Sequence, residues 1–239
     1  MRDDTRRRAY LAALGVDAWI RRDAPPRAAA SPPAAESAAA ATPDAAPVAR
    51  ADAPEAWAAL AGEVSACVRC ALHEGRTQTV FGVGDRAAGW LIVGEAPGQE
   101  EDRRGEPFVG RAGQLLNAML AAVGLARERV YIANILKCRP PNNRDPRPEE
   151  VACCEPFLAR QIALIAPRII LAVGRIAAQN LLKVQTPIGR LRGQRHHYGP
   201  REIPVVVTYH PAYLLRSPAE KRRAWQDLLF ARQVFEGQS

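Results

Sequence analysis

Hydrophobic and polar positions follow two rhythms along this chain. Trp90-Leu91-Ile92-Val93 and the segments Val130 to Leu136, Arg168 to Val173 and Pro204 to Thr208 are near-continuous apolar runs, the pattern of strands covered on both faces rather than on one. Between and around them, apolar residues recur at three- and four-residue steps. Ala112 to Val123 presents Leu115, Leu116, Met119 and Leu120 and stops at Gly124, a residue suited to a helix C-cap. Glu149 to Ile165 places Val151, Cys154, Leu158 and Ile162 on one stripe before Pro167 breaks it. Trp57 to Cys67, Arg175 to Leu182 and Glu220 to Phe235 complete the helices. Strands alternating with helices predict an α/β fold of three layers, α/β/α, with a central, mainly parallel four-stranded sheet. In such sheets functional side chains gather beyond the carboxyl ends of the strands. That rule brings Glu95, Asn134, Gly174 and His210, each at or just after a strand end, to one crevice.

The N-terminal quarter has neither rhythm in full. From Ala24 to Pro54, 22 of 31 residues are Ala or Pro, too little apolar bulk to offset chain entropy, so 24–54 is read as a disordered linker. Before it, Tyr10, Leu11, Leu14 and Ala18 recur at helical spacing, with Gly15 weakening the pattern. An isolated helix of this length is marginal in water. Residues 1–23 are therefore expected to order against a partner, a replication or repair protein, or to pack back on the body of the protein; residues 55–239 form the single remaining domain. The formal charge of +8 lies almost wholly there, because residues 1–54 hold eight Arg against seven acidic residues. A basic domain attracts polyanions, nucleic acid foremost. With thirty Arg and three Lys, coding bias accounts for part of that signal. No apolar run approaches the roughly 18 residues a membrane span needs, and Met1 to Arg8 has no secretory pattern. The expectation is a cytoplasmic monomer.

Candidate chemistry begins with the thiols. Cys67 and Cys70 form Cys-x-x-Cys, and Cys138 and Cys154 bracket fifteen residues, beginning in a loop that Pro140, Pro141, Pro146 and Pro148 keep from being helix. Four thiolates suit tetrahedral zinc and a 4Fe-4S cluster equally in ligand count. One close pair with one wide pair fits the cluster better than zinc, and free buried thiols are the plain alternative.

Four motifs then carry a family likeness: Gly94-Glu95-Ala96-Pro97-Gly98-Gln99-Glu100-Glu101-Asp102; Gly105-Glu106-Pro107-Phe108-Val109-Gly110; Asn134 with Lys137-Cys138-Arg139-Pro140-Pro141; and His210-Pro211-Ala212-Tyr213-Leu214-Leu215-Arg216. In this order they resemble the family 4 uracil-DNA glycosylases, the bacterial and archaeal iron-sulfur type, over about Val64 to Ala231. The resemblance implies hydrolysis of the N-glycosidic bond of deoxyuridine in DNA, leaving an abasic site. It also implies a structural 4Fe-4S cluster on Cys67, Cys70, Cys138 and Cys154. Cys154 is taken over Cys153 because Cys154-x-x-Phe157-Leu158 keeps the family register and Cys154 lies on the apolar stripe.

Excising a base requires extruding it, holding its polar edge and stabilising an oxocarbenium-like sugar and an anionic leaving base. By the resemblance, Phe108 stacks on the flipped uracil, Glu95 positions the water, His210 stabilises charge on uracil O2, and Glu101 sits against uracil C5, where thymine carries a methyl. Asn134 has a donor and an acceptor, matching uracil N3–H and O4 and mismatching cytosine. Each has a plainer reading: Phe108 as core, Asn134 as a loop cap, His210 donating either as neutral imidazole or as imidazolium. Leu214, Leu215 and Arg216 are wedge candidates, with ordinary helix packing as the alternative; Arg192, with Arg190, Arg139 and Arg144, is a candidate for phosphate contact. Asp102 and Glu100 read as surface or capping residues, and His196 and His197 as solvated. Lys137 is the one amine within the matched motifs, so no strand cleavage through an amine nucleophile is expected. The rival from another class is a non-catalytic DNA-binding or polymerase-associated module that keeps the fold and cluster; such a binder has no need of both Glu95 and His210.

Overall fold

The computed structural model describes residues 53–237; the docking helix expected over 1–23, and all but the last two residues of the linker expected over 24–54, lie outside the described residues. Helix α1 (Ala53–Ser65) begins inside the stretch read as linker. Pro54 occupies its first turn, where a missing backbone N–H costs nothing.

The sheet has six strands rather than four, in the order β1-β3-β2-β4-β6-β5. The four central strands, β2 (Trp90–Gly94), β3 (Tyr131–Asn134), β4 (Ile169–Val173) and β6 (Ile203–Thr208), run parallel and are the four apolar runs. The additions are antiparallel edges, β1 (Val83–Gly84) beside β3 and β5 (Arg195–Tyr198) beside β6. One is two residues long; the other, Arg195-His196-His197-Tyr198, alternates exposed and half-buried positions. Short or polar strands are what an exposed sheet edge tolerates, and neither leaves an apolar signature.

Every residue of the four parallel strands is buried, and alternate residues feed opposite layers. Leu91, Val93, Tyr131, Ala133, Ile170, Ala172, Val205 and Val207 meet α5 (Pro148–Ile165) and α6 (Arg175–Leu182) on one face. Trp90, Ile92, Ile132, Ile169, Leu171, Val173 and Val206 meet α4 (Arg111–Ala122) and α9 (Lys221–Glu236) on the other. Burying one such side chain is worth roughly 1.5–3 kcal/mol, so the two-sided apolar strand is the main adhesive of this fold. Because β3 and β4 flank β2 on opposite sides, the chain order reverses there. A crevice opens at the carboxyl ends of strands at such a point.

Short helices finish the architecture: α2 (Leu72–Gly75), α3 (Gln99–Arg104), α7 (Ile188–Leu191) and α8 (Pro211–Arg216). The hydrophobic pattern does not announce α3, which has no apolar stripe. Its signal is electrostatic: Glu100, Glu101 and Asp102 in the first turn, Arg103 and Arg104 in the last, and Gly105 in the left-handed C-cap conformation, the charge order that complements a helix dipole. Among the described residues no helix is long and apolar enough to cross a membrane.

Candidate active site and thiolate pocket

Beyond the carboxyl ends of β2, β3 and β6 lies a cleft of ≈ 420 Å³, and its lining includes Glu95, Glu101, Phe108, Asn134, His210 and Arg216. Strand ends account for the convergence. Glu95 follows the last residue of β2, Asn134 is the last residue of β3, and His210 stands two residues beyond β6 as the N-cap of α8. Gly174, at the end of β4, is in the left-handed region at φ +100°, and a Cβ there would lie 2.9 Å from His210 Cβ; its bareness lets the His210 turn close over the sheet.

Asn134 is 2 % exposed, and its side-chain oxygen has no hydrogen-bond partner. A loop cap would bond backbone; this amide does not, so the plainer reading fails for Oδ1. A buried acceptor left unpaired costs roughly 1–3 kcal/mol, and its position in a cleft points to a ligand donor. Gly94 makes room for the arrangement: a Cβ on it would sit 2.4 Å from Asn134 Oδ1 and 2.6 Å from Phe108 Cζ.

Phe108 belongs to the core and to the cleft at once. It is buried against the α4 and α9 layer, lines the cleft, and its ring lies 5.6 Å from that of His210 with 31° between the planes. Its backbone is held at φ +54°, a conformation that a bulky residue adopts only when the surroundings impose it. Glu101 imposes it: Oε1 accepts hydrogen bonds from Val109 N–H at 2.9 Å and Gly110 N–H at 3.1 Å. Glu101 thus has a clear task within the protein, as a clamp on the turn that carries Phe108.

His210 Nδ1 accepts a hydrogen bond from the Ala212 backbone N–H at 3.1 Å. That contact leaves the ring proton on Nε2, the nitrogen free to donate to a ligand. Burial, reinforced by the Arg216 cation and opposed by Glu101, lowers the imidazole pKa to about 4; of the two protonation states open to the sequence, the neutral donor is the one this environment supports. Glu95 moves the other way. Burial first, then the Asp145 carboxylate, raise it to about 7, with Arg175 opposing. Asp145 and Arg175 are themselves paired at 2.5 Å.

Some residues singled out from sequence lie elsewhere. Leu214 is fully buried in the α4 and α9 layer, the inward side of an amphipathic turn, and cannot wedge a duplex; Leu215 and Tyr213 are the exposed apolar residues of α8. Arg192 is not free for phosphate. Its Nε donates to buried Asp227 at 2.7 Å and its guanidinium lies 4.2 Å from the Tyr209 ring centroid. Arg144 lines the cleft but is spent on Glu150 through both terminal nitrogens, at 2.9 and 2.5 Å. Arg139 donates to Asn143 at 2.8 Å. Asp102 is a buried tie, accepting Thr77 N–H at 3.0 and 3.1 Å, rather than a surface residue. His196 lies in β5 and contacts the Leu191 carbonyl at 2.8 Å. Tyr213 and Asp145 line the cleft and escaped sequence reasoning. An exposed aromatic in the turn after His210 was the available signal for Tyr213; Asp145, in an aperiodic loop, gave none.

A second, smaller pocket gathers Cys67, Cys70, Cys138, Cys153 and Cys154 with Arg76 and Lys137 on its walls, so cysteines from segments far apart in the chain line one pocket. None is in a disulfide. Arg76 Nη1 donates to Cys138 Sγ at 3.3 Å and to the Cys67 carbonyl at 2.7 Å, placing a fixed cation beside the thiols, as suits a set of bound thiolates. Cys154 is buried, whereas Cys153 is half-exposed and its S–H donates to the Arg69 carbonyl at 3.3 Å. Among the described residues no three His, Cys, Asp or Glu side chains already stand at the spacing of a single-ion site.

A family model, the uracil DNA glycosylase superfamily, matches residues 81–229, the span that carries every residue of the cleft. A type-4 uracil-DNA glycosylase from Archaeoglobus fulgidus is 50% identical over 163 residues, 65% of this chain and 81% of that protein. The chain belongs to the type-4 family of that superfamily. A second type-4 uracil-DNA glycosylase, from Pyrobaculum aerophilum, is 43% identical over 168 residues, 68% of this chain and 86% of the relative. The type-5 enzyme of the same organism is more distant, 31% identical over 55% of this chain and 64% of its own length.

Proposed function

We propose that this protein removes uracil from DNA by hydrolysing the N-glycosidic bond, leaving an abasic site for repair. The observation that carries the reading is the unpartnered, buried Oδ1 of Asn134, in a cleft that also holds Phe108, His210 and Glu95. An extruded uracil stacks on the Phe108 ring, gives its N3–H to Asn134 Oδ1 and takes Nδ2–H on O4. Cytosine presents the opposite edge and leaves the buried amide unpaired, a mismatch that can discriminate by several powers of ten. As the glycosidic bond lengthens, negative charge gathers on O2, where the neutral His210 Nε2–H donates. Glu95, ionised, orients the attacking water and faces the positive anomeric carbon. A non-catalytic module needs neither group, and their meeting in one cleft favours the enzyme. Lys137 is buried with Nζ donating to two protein acceptors, so the one amine in the motifs is sequestered, in keeping with hydrolysis alone.

The thiolate pocket fits a 4Fe-4S cluster held by Cys67, Cys70, Cys138 and Cys154. Its contribution is structural, joining the α1 end of the chain to the loop that runs along the cleft.

The test is excision from an oligonucleotide with one uracil, followed as a function of pH. Because Glu95 titrates near 7 and acts as its anion, kcat/KM rises about tenfold per unit as pH increases toward 7 and levels above it, and Glu95→Gln loses the slope along with most of the rate. A flat profile from pH 5 to 8 would mean that Glu95 is not the anion that orients the water.

Salt dependence tests the DNA-facing side. Arg216 is exposed at the cleft mouth, so Arg216→Gln lowers the salt slope of DNA binding by about one unit. Arg192→Gln leaves the slope alone and instead strands Asp227, costing on the order of 3–5 kcal/mol of stability. Reversal of the two effects would return Arg192 to the phosphate-binding set.

A further inference from the structure

Lys137 poses a problem that the reaction does not explain. Its side chain is 1 % exposed, yet Nζ donates to two neutral acceptors, the Asn134 carbonyl at 3.0 Å and Gln161 Oε1 at 2.7 Å. Lys137 also lines the thiolate pocket, and an amine buried there is costly unless its hydrogen bonds are satisfied. Gln161, wholly buried on α5, is fixed in turn by donating Nε2–H to the Phe81 carbonyl at 2.9 Å and to Tyr131 Oη at 3.4 Å. Tyr131 opens β3, and Asn134 ends it. The chain of bonds therefore leaves β3 at one end, crosses to α5 and returns through Lys137 to the carbonyl of the residue whose amide lines the cleft.

We infer that Lys137 and Gln161 are positioning residues for uracil recognition, Lys137 Nζ fixing the backbone of Asn134 so that its side-chain amide meets the base edge. This inference rests on Asn134 reading the base. The backbone of Asn134 already pairs with β2 through the register Gly94 to Asn134, and the N–H of the peptide that follows it, that of Ile135, donates to the Gly94 carbonyl at 3.0 Å. Lys137 Nζ holds the carbonyl side of that peptide, and with it released the peptide can tilt about the one bond that remains. A displacement of about 1 Å in a residue that orients the reacting group can cost on the order of 10²-fold in rate.

The experiment is a double-mutant cycle on the full chain, with visible absorbance and thermal melting recorded for each variant. Lys137→Met keeps the length and apolar stem of the side chain and removes the bond to the Asn134 carbonyl. The expected result is a folded, coloured protein whose single-turnover excision falls 10- to 100-fold and whose inhibition by free uracil weakens. The same substitution in an Asn134→Ala background has little further effect, because the residue it positions is gone. An equal loss in both backgrounds, or wild-type excision by Lys137→Met, overturns the inference, since a merely structural role would not depend on the Asn134 side chain. If Lys137→Met does not fold, the cycle is read with Gln161→Leu, which removes the outer anchor, by the same two criteria. Full activity of Asn134→Ala alone overturns the base-reading role itself and is told apart from failure of the tether by that single variant.

Discussion

Replacing His210 with alanine slows uracil excision by about 10²- to 10³-fold, the effect of removing one preorganised donor from a developing oxyanion. Three features of the site set this expectation. The Ala212 N–H occupies Nδ1 and leaves Nε2–H as the donor; Phe108 holds the neighbouring ring face; and Gly174 allows the His210 turn to come down on the sheet. The variant should bind uracil-containing DNA nearly as before, because the bond strengthens only as charge reaches O2, so the loss falls on kcat rather than KM. His210→Asn, with an amide donor in the same region, restores part of the rate. The pH profile separates this histidine from the carboxylate. With its pKa depressed to about 4 by burial, His210 is neutral throughout the working range, and the acid limb near 7 belongs to Glu95. His210→Ala therefore lowers the whole curve and leaves its inflection in place; an inflection that disappears with His210 would mean that the imidazolium is the active form. Stability follows the sign of the shift: because the unfolded chain binds this proton more readily, the His210 contribution is intact above about 6.5 and is lost as pH falls toward 4.

The second large effect concerns the sulfurs. Cys154→Ser abolishes the visible absorbance and the cooperative thermal transition together, whereas Cys153→Ser leaves both. A structural metal centre contributes on the order of 10 kcal/mol, comparable with the whole net stability of a domain, about 5–15 kcal/mol. Losing one of the four ligands should therefore cost more than an ordinary core substitution. Cys154 is the buried one of the adjacent pair, and Cys153 already spends its S–H on the Arg69 carbonyl. Should Cys153→Ser bleach the protein while Cys154→Ser stays coloured, the ligand set is wrong at that position. A colourless wild type containing zinc would retain the pocket and replace the cluster.

How much of this was legible beforehand depends on what each residue had to signal. The parallel strands were plain because burial on both faces demands an unbroken apolar run, as in Trp90 to Val93. The edges β1 and β5 were not, because a strand that faces water needs no apolar residue and its pairing is set by partners far away in sequence. The crevice followed from strand ends alone, which is why Glu95, Asn134 and His210 could be grouped before any coordinates. What strand order does not encode is which way a short helix turns. In α8 a rotation of about 100° per residue sends Leu214 into the core and Tyr213 and Leu215 to the surface, and six residues carry too little periodicity to reveal it. Charge is ambiguous in the same way: Arg192 and Arg216 look alike in sequence, and only the fold gives one a buried aspartate.

The Phe108 turn is bent, clamped by the Glu101 carboxylate and packed against the core, all by contacts within the chain itself. Uracil therefore meets a finished mould. Little rotamer or backbone freedom is left to freeze when it arrives, since that entropy was surrendered when the chain folded. The slow partner in their encounter is then the duplex, which must open and give up a stacked nucleotide, so weakened pairing around the lesion should quicken capture more than any added suppleness in the protein.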